Sequence, residues 1–148
     1  MRRLVIDASV AIKWVVEEKG TVEALALRRR CRLSAPDLLI PECANILWKK
    51  VRRGELTEPE ALLAARLLER ADVELVPMRR MLEPATKLSA VLDHPAYDCF
   101  YLALAQSTGH GFVTADEKLR TKVRTHDLPE RVLGLSSVLD HLDAGESR

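Results

Sequence analysis

The sequence has no bulk charge of either sign, since 23 Lys and Arg face 22 Asp and Glu for a formal net charge of +1. Net charge therefore argues for no polyanionic partner, and only the placing of the charges can do so. Aromatic residues are scarce, two each of Phe, Tyr and Trp, so no base-stacking platform for single-stranded nucleic acid is expected. The three cysteines, Cys31, Cys43 and Cys99, are odd in number and show no CxxC spacing. That excludes a disulfide framework and a zinc site, and fits a reducing, cytoplasmic setting. Asp7 and Lys13 break the only N-terminal apolar stretch, so no secretory signal is expected. The longest uncharged run, Cys99 to Ala115, carries Gln106, Ser107, Gly109, His110 and Gly111, and is no membrane span.

What is present is an alternation of strand-like and helix-like patterns. Leu4, Val5 and Ile6 form a short apolar run ending at Asp7, which reads as a strand buried on both faces. A helix capped at or near Ser9 follows, with Val10 and Trp14 at helical spacing. Thr21 to Arg30 reads as a second helix with a stripe of Val22, Leu25 and Ala26. Leu33 to Leu38 is a weak strand broken by Pro36, leading through Pro41 to a helix that ends near Gly54. Thr57 and Glu60 form a capping box ahead of ALLAARLLERA, and these two helices are expected to form a hairpin. Asp72 to Pro77 alternates like a strand, Met81 to Leu92 reads as helix, and Pro95 opens another helix that stops at Gly109. Gly111 to Thr114 is a strand, followed by a basic helix, a VLGL strand and a final SSVLDHL helix. Such alternation predicts a parallel sheet covered on both faces. One domain over 1–142 is expected, with a polar tail over 143–148.

Four acids stand at strand ends or helix starts. Asp7 follows the first strand, and Asp116 follows the GFVT strand in the same manner. In an open α/β sheet, ligands bind beyond the carboxyl ends of the strands; either acid read alone is equally a helix N-cap. Asp98 begins a helix, AYDCFYLALA, that is apolar nearly all the way round. A carboxylate there needs a partner, a hydrogen bond or a metal, unless the helix start itself satisfies it. Glu42 follows Pro41 in the first turn of its helix and shares a face with Asn45, or is simply a solvated first-turn Glu. Trp14 and Trp48 read as core or interface residues, His94 as a hydrogen-bonding residue at a helix entry, and Cys43 and Cys99 as buried thiols.

Four blocks then form one pattern: VIDASVAIKW with Asp7 and Ser9, APDLLIPECANILWKKVRRGEL with Glu42 and Asn45, HPAYDCFYLALA with Asp98, and FVTADEKL with Thr114 and Asp116. In this order and spacing the chain resembles the PIN-domain ribonucleases, specifically the VapC toxins of type II toxin–antitoxin pairs. The resemblance implies a Rossmann-like, three-layer α/β/α fold with a central parallel sheet. It implies that Asp7, Glu42, Asp98 and Asp116 hold Mg²⁺ or Mn²⁺ for hydrolysis of an RNA phosphodiester, with Ser9, Asn45 and Thr114 supporting the pocket. It also implies a homodimer or a hetero-oligomer with a cognate antitoxin protein, whose contacts the helical hairpin could provide.

The carboxylates make chemical sense beside that resemblance. Carboxylates about 4 Å apart repel by roughly 4 kcal/mol per pair at an effective dielectric near 20, so a cation or protons must relieve them. Oxygen ligands without His or Cys favour Mg²⁺ or Mn²⁺ over zinc. Lys118, Arg120, Lys122 and Arg124 follow Asp116 directly and are candidates for RNA phosphate contacts; Arg28 to Arg32 read instead as a solvated helix end. Two other classes remain open on the residues: a metal-stabilised binding module without catalysis, and a phosphatase using the same acids. A dehalogenase-like phosphatase would place a second acid two residues after the first, where this chain has Ser9.

Overall fold

The fold is described from a computed structural model, in which residues 1–126, 128 and 132–146 are described. Five strands form the sheet: β1 (Arg2–Ile6), β2 (Cys31–Pro36), β3 (Val73–Val76), β4 (Gly111–Thr114) and β5 (Val132–Gly134). All pair in parallel, in the order β3-β2-β1-β4-β5. The apolar run predicted for the first strand is its centre, and Leu4, Val5 and Ile6 are each at most 1% exposed. Pro36 ends β2 rather than breaking it, because the last residue of a strand can forgo a ladder donor.

Among the described residues, eight α-helices connect and cover the strands: α1 (Ala8–Ala11), α2 (Thr21–Arg30), α3 (Leu39–Arg52), α4 (Glu58–Glu69), α5 (Leu82–Leu92), α6 (Ala96–Thr108), α7 (Glu117–Thr125) and α8 (Val138–Glu146). Strand order reverses direction at the middle of the sheet. The crossovers from β1 to β3 run one way and those from β3 to β5 run the other, so right-handed connections put α1 to α4 on one face and α5 to α7 on the opposite one. Consistently, α6 packs across β1, β2 and β4, while α2 packs on β2 and against α8. The three-layer α/β/α architecture is thus the one expected.

Local chemistry accounts for the boundaries. Thr57 Oγ1 accepts the Glu60 N–H while Glu60 Oε1 accepts the Thr57 N–H, the capping box that starts α4. At the other end of the site helix, Gly109 takes the left-handed conformation (φ 71°) that closes α6.

Three local expectations differ from the fold. Asp7, not Ser9, occupies the N-cap position of α1, and the segment after it tightens into a 3₁₀ turn over Ile12–Trp14. On α2 the buried residues are Ala24, Ala26 and Leu27, with Val22 72% exposed, since a ten-residue helix with mixed apolar positions leaves its facing side undetermined by periodicity. Trp14 is buried and its indole N–H donates to the Ala24 carbonyl at 2.8 Å, whereas Trp48 is 55% exposed beneath the Arg52 guanidinium. The last helix continues through Glu146, taking in the start of the segment expected as a tail; residues 147–148 lie outside the described residues.

Phe112, wholly buried in β4 and stacked on Tyr101 at 5.9 Å between ring centres, joins the sheet to the site helix. Phe112→Ala is expected to cost about 3–5 kcal/mol, read as a lower urea midpoint at unchanged slope.

Candidate active site

Asp7 is where the sheet register brings two strand ends together. Ile6 pairs with Val113, so the next residues, Asp7 and Thr114, leave the sheet side by side. Asp7 is 7% exposed and both its oxygens are engaged: Ser9 Oγ donates to Oδ1 at 2.5 Å and Thr114 Oγ1 donates to Oδ2 at 2.6 Å. Each hydroxyl also accepts a backbone N–H from the segment after β4, Ser9 from Ala115 at 3.1 Å and Thr114 from Asp116 at 3.0 Å. Ser9 and Thr114 therefore hold Asp7 between them.

The other acids have partners of their own. Tyr101, buried in α6, donates its phenol O–H to Glu42 Oε1 at the start of α3. His94 Nε2 lies 2.5 Å from Asp98 Oδ2 across the first turn of α6. Asp116 Oδ1 accepts the N–H groups of Lys118 and Leu119 and so caps α7, the helix-cap role open to it from the sequence. Asn45 is exposed on α3, one turn beyond Glu42, and among the described residues it bonds none of these carboxylates.

Electrostatics link three of the four acids. Burial pushes the Asp7 carboxyl up from 3.8 to about 6, against the two hydroxyl bonds that lower it, and the charge of Asp98 raises it further. Glu42 is raised by burial and again by Asp98, with the Tyr101 bond opposing. Between them, Cys43 is pushed up to about 12 by burial and by the charges of Glu42 and Asp7, which makes its thiol inert. Among the described residues, Asp116 joins this group through its N–H bond to Thr114. Among the described residues no three His, Cys, Asp or Glu side chains stand in a chelating arrangement; each carboxylate is drawn to its own hydrogen-bond partner. The donor set nevertheless suits a hard divalent cation in kind, because oxygens whose negative charge is disfavoured by burial and by one another gain most from a positive ion.

The basic residues after Asp116 divide. Lys118 and Arg124 are exposed on α7. Arg120 pairs with Glu117 at 2.8 Å, and Lys122 donates to the Asp93 carbonyl at 2.9 Å and faces His94 Nδ1 at 3.2 Å. Tyr101 and Lys122 were not singled out from the sequence for holding acids. A signal for Tyr101 existed: it lies three residues beyond Asp98 in an apolar helix, and a buried phenol needs a partner.

A parallel five-stranded sheet flanked by helices is the PIN-domain fold, and residues 4–124 match that family, to which the chain belongs. Within it the similarity is to VapC ribonucleases: the chain is 33% identical over 126 residues to ribonuclease VapC3 of Pyrobaculum aerophilum, covering 81% of this chain and 94% of that one. Among solved structures, PAE2754 from Pyrobaculum aerophilum has the same fold at a TM-score of 0.72 and 21% identity, over 97% of this chain and 90% of the other. A DNA-bound VapBC from Salmonella typhimurium matches at a TM-score of 0.61 and 17% identity, over 91% and 99% of the two chains.

The Asp7 environment predicts a pH signature in metal-free protein. A carboxyl held near pH 6 when folded and 3.8 when unfolded favours the folded state most below about pH 4. That advantage falls away as pH rises to about 6 and is absent above it, a change of about 3 kcal/mol. Relative to wild type, Asp7→Asn is therefore expected to gain up to about that much stability between pH 4 and pH 7. Urea titrations in chelator at both pH values measure it, and a pH-independent difference would contradict the burial of a strained carboxylate.

Proposed function

We propose that this chain is a Mg²⁺- or Mn²⁺-dependent endoribonuclease, the toxin of a type II toxin–antitoxin pair, that hydrolyses RNA phosphodiester bonds at the Asp7, Glu42, Asp98 and Asp116 cluster. The observation that carries this reading is Asp7, a buried carboxylate at the central strand end whose pKa is pushed up to about 6 by burial, with the charge of Asp98 adding to it. Similarity to VapC ribonucleases supplies the substrate class. Asp7 and Asp98 would hold the ion directly, with Glu42 and Asp116 acting through water or at a second ion. Bound there, the ion would supply Lewis acidity to water and phosphate near neutral pH.

The chain's own residues set the geometry for this work. Ser9 and Thr114 keep the Asp7 carboxylate in one orientation, and Tyr101 does the same for Glu42. Lys118, exposed in the first turn after Asp116, and Arg124, exposed near the far end of the same helix, are placed to meet the RNA backbone, a contact that orients without reading sequence. Recognition by backbone and shape suits a chain with so few exposed aromatics.

The α3–α4 hairpin supports a protein partner. Ile40, Trp48, Leu62, Leu63 and Leu67 are each at least 50% exposed, and a cleft of about 260 Å³ opens between α3, α4 and β3, lined by Ile40, Cys43, Leu47, Leu68 and Leu75 among others. An apolar surface of this kind marks a docking face, here for the antitoxin and for a second copy of the chain. The VapBC assembly from Salmonella typhimurium shares this fold, in keeping with an antitoxin partner. No helix is long and apolar enough to cross a membrane among the described residues.

Two measurements test the proposal. Purified protein with Mg²⁺ or Mn²⁺ should cut total RNA into defined fragments, while excess chelator or Asp98→Asn should reduce cleavage by at least about a hundredfold, the loss typical of removing an essential catalytic group. Equal activity of wild type and folded Asp98→Asn would overturn it. Light scattering on a sizing column should give a dimer at micromolar concentration, and a monomer there would remove the homodimer from the scheme.

A further inference from the structure

We propose that His94, locked by Lys122, is a positioning residue that fixes the Asp98 carboxylate to receive a divalent cation; this rests on the carboxylate reading above. The two ring nitrogens have different neighbours. Nε2 is 2.5 Å from Asp98 Oδ2, and Nδ1 is 3.2 Å from the Lys122 ammonium. An ammonium has three donors and no acceptor, so Nδ1 must accept. Nε2 is then the ring nitrogen that donates to Asp98. Lys122 thus chooses the tautomer that serves Asp98.

The lock is anchored from three elements. The Lys122 ammonium on α7 also donates to the Asp93 carbonyl at 2.9 Å. From α5, Ser89 Oγ donates to the His94 carbonyl at 2.6 Å, and the His94 N–H returns a bond to the Ser89 carbonyl at 3.2 Å. Asp93, left-handed at φ 50° and at the end of α5, turns the chain so that His94 lies one turn ahead of Asp98 on α6. The imidazole is 10% exposed, so water competes little for its proton. With Oδ2 engaged by the ring, Oδ1 is the donor atom left to Asp98 for an ion. Lys122 accordingly acts on the site through His94, a different task from the phosphate contact expected of it.

Hydrogen-bond partners behind metal ligands typically change metal affinity by about 10–100-fold when removed. The test is Mn²⁺ binding to the full chain by calorimetry, with thermal unfolding and circular dichroism recorded for every variant. His94→Leu keeps the bulk and loses the donor, and should weaken Mn²⁺ by about 10–100-fold with the fold retained. His94→Gln, whose amide can donate in place of Nε2, should recover most of the affinity, and Lys122→Met should fall between. A merely structural histidine would change the unfolding temperature and leave Mn²⁺ affinity and the Gln rescue flat. Mn²⁺ binding lost in Asp98→Asn but unchanged in His94→Leu would overturn this inference alone. No Mn²⁺ binding by wild type would overturn the carboxylate reading and this inference with it. Should His94→Leu fail to fold, His94→Asn, whose amide is too short to reach Asp98 as Nε2 does, stands in with the same two readings.

Discussion

The structure depends on how a buried carboxylate is accommodated at the end of its central strand. Asp7 follows three residues with almost no exposed surface, so water cannot solvate it and protein hydroxyls must. Ser9 and Thr114 do so, and each passes the constraint on by accepting a backbone N–H from residue 115 or 116. One interaction therefore sets the separation of β1 and β4, the path of the chain into α7, and the orientation of the acid. Tyr101 is tied to this point as well, through its stacking on Phe112, the second residue of β4.

Around Asp7, each remaining acid is held by a group of a different kind: a phenol for Glu42, an imidazole for Asp98, and a helix start for Asp116. Separate partners let acids of like charge sit near one another without collapsing onto shared protons. They also keep the arrangement of the acids from depending on a single loop, since the partners come from α6, from the α5–α6 turn and from the start of α7. Rigid elements bearing a functional constellation hold it more accurately than loops can.

Most of the architecture was legible before any coordinates. The buried run at Leu4–Ile6, the capping box at Thr57 and Glu60, and the Pro95 and Gly109 boundaries of α6 are local signals, and local signals survive folding. What escaped was relational. Val22 on α2 looks like a core residue by spacing and Trp48 on α3 like a core or interface residue, yet the faces they occupy are decided by which neighbour covers the helix. Asp7, Glu42, Asp98 and Asp116 stood out as acids in unusual company, and Ser9, Asn45 and Thr114 as their supports; of the three, Ser9 and Thr114 bond to Asp7, and Asn45 bonds none of the four acids among the described residues. The roles of Tyr101 and Lys122 did not, because each acts on a residue brought near by packing rather than by sequence: Tyr101 on Glu42, 59 positions away, and Lys122 on His94, 28 positions away. His94 was read as a hydrogen-bonding residue at a helix entry, which it is; its partner was the missing part.

The separation of 107 positions between Asp7 and Thr114 gives the sheet order a consequence for synthesis. β1 is the first strand made, yet its neighbour β4 is the fourth, so the bond that orients Asp7 closes one of the longest loops in the chain. Long-range parallel pairings form late, after the entropy of loop closure has been met. On the ribosome, a chain that has emerged only as far as α5 has β1, β2 and β3 to pair with one another. It has neither Asp98 nor the hydroxyl of Thr114. The site is split between stretches far apart in the sequence, and an unfinished product that stops short of α6 carries only fragments of it.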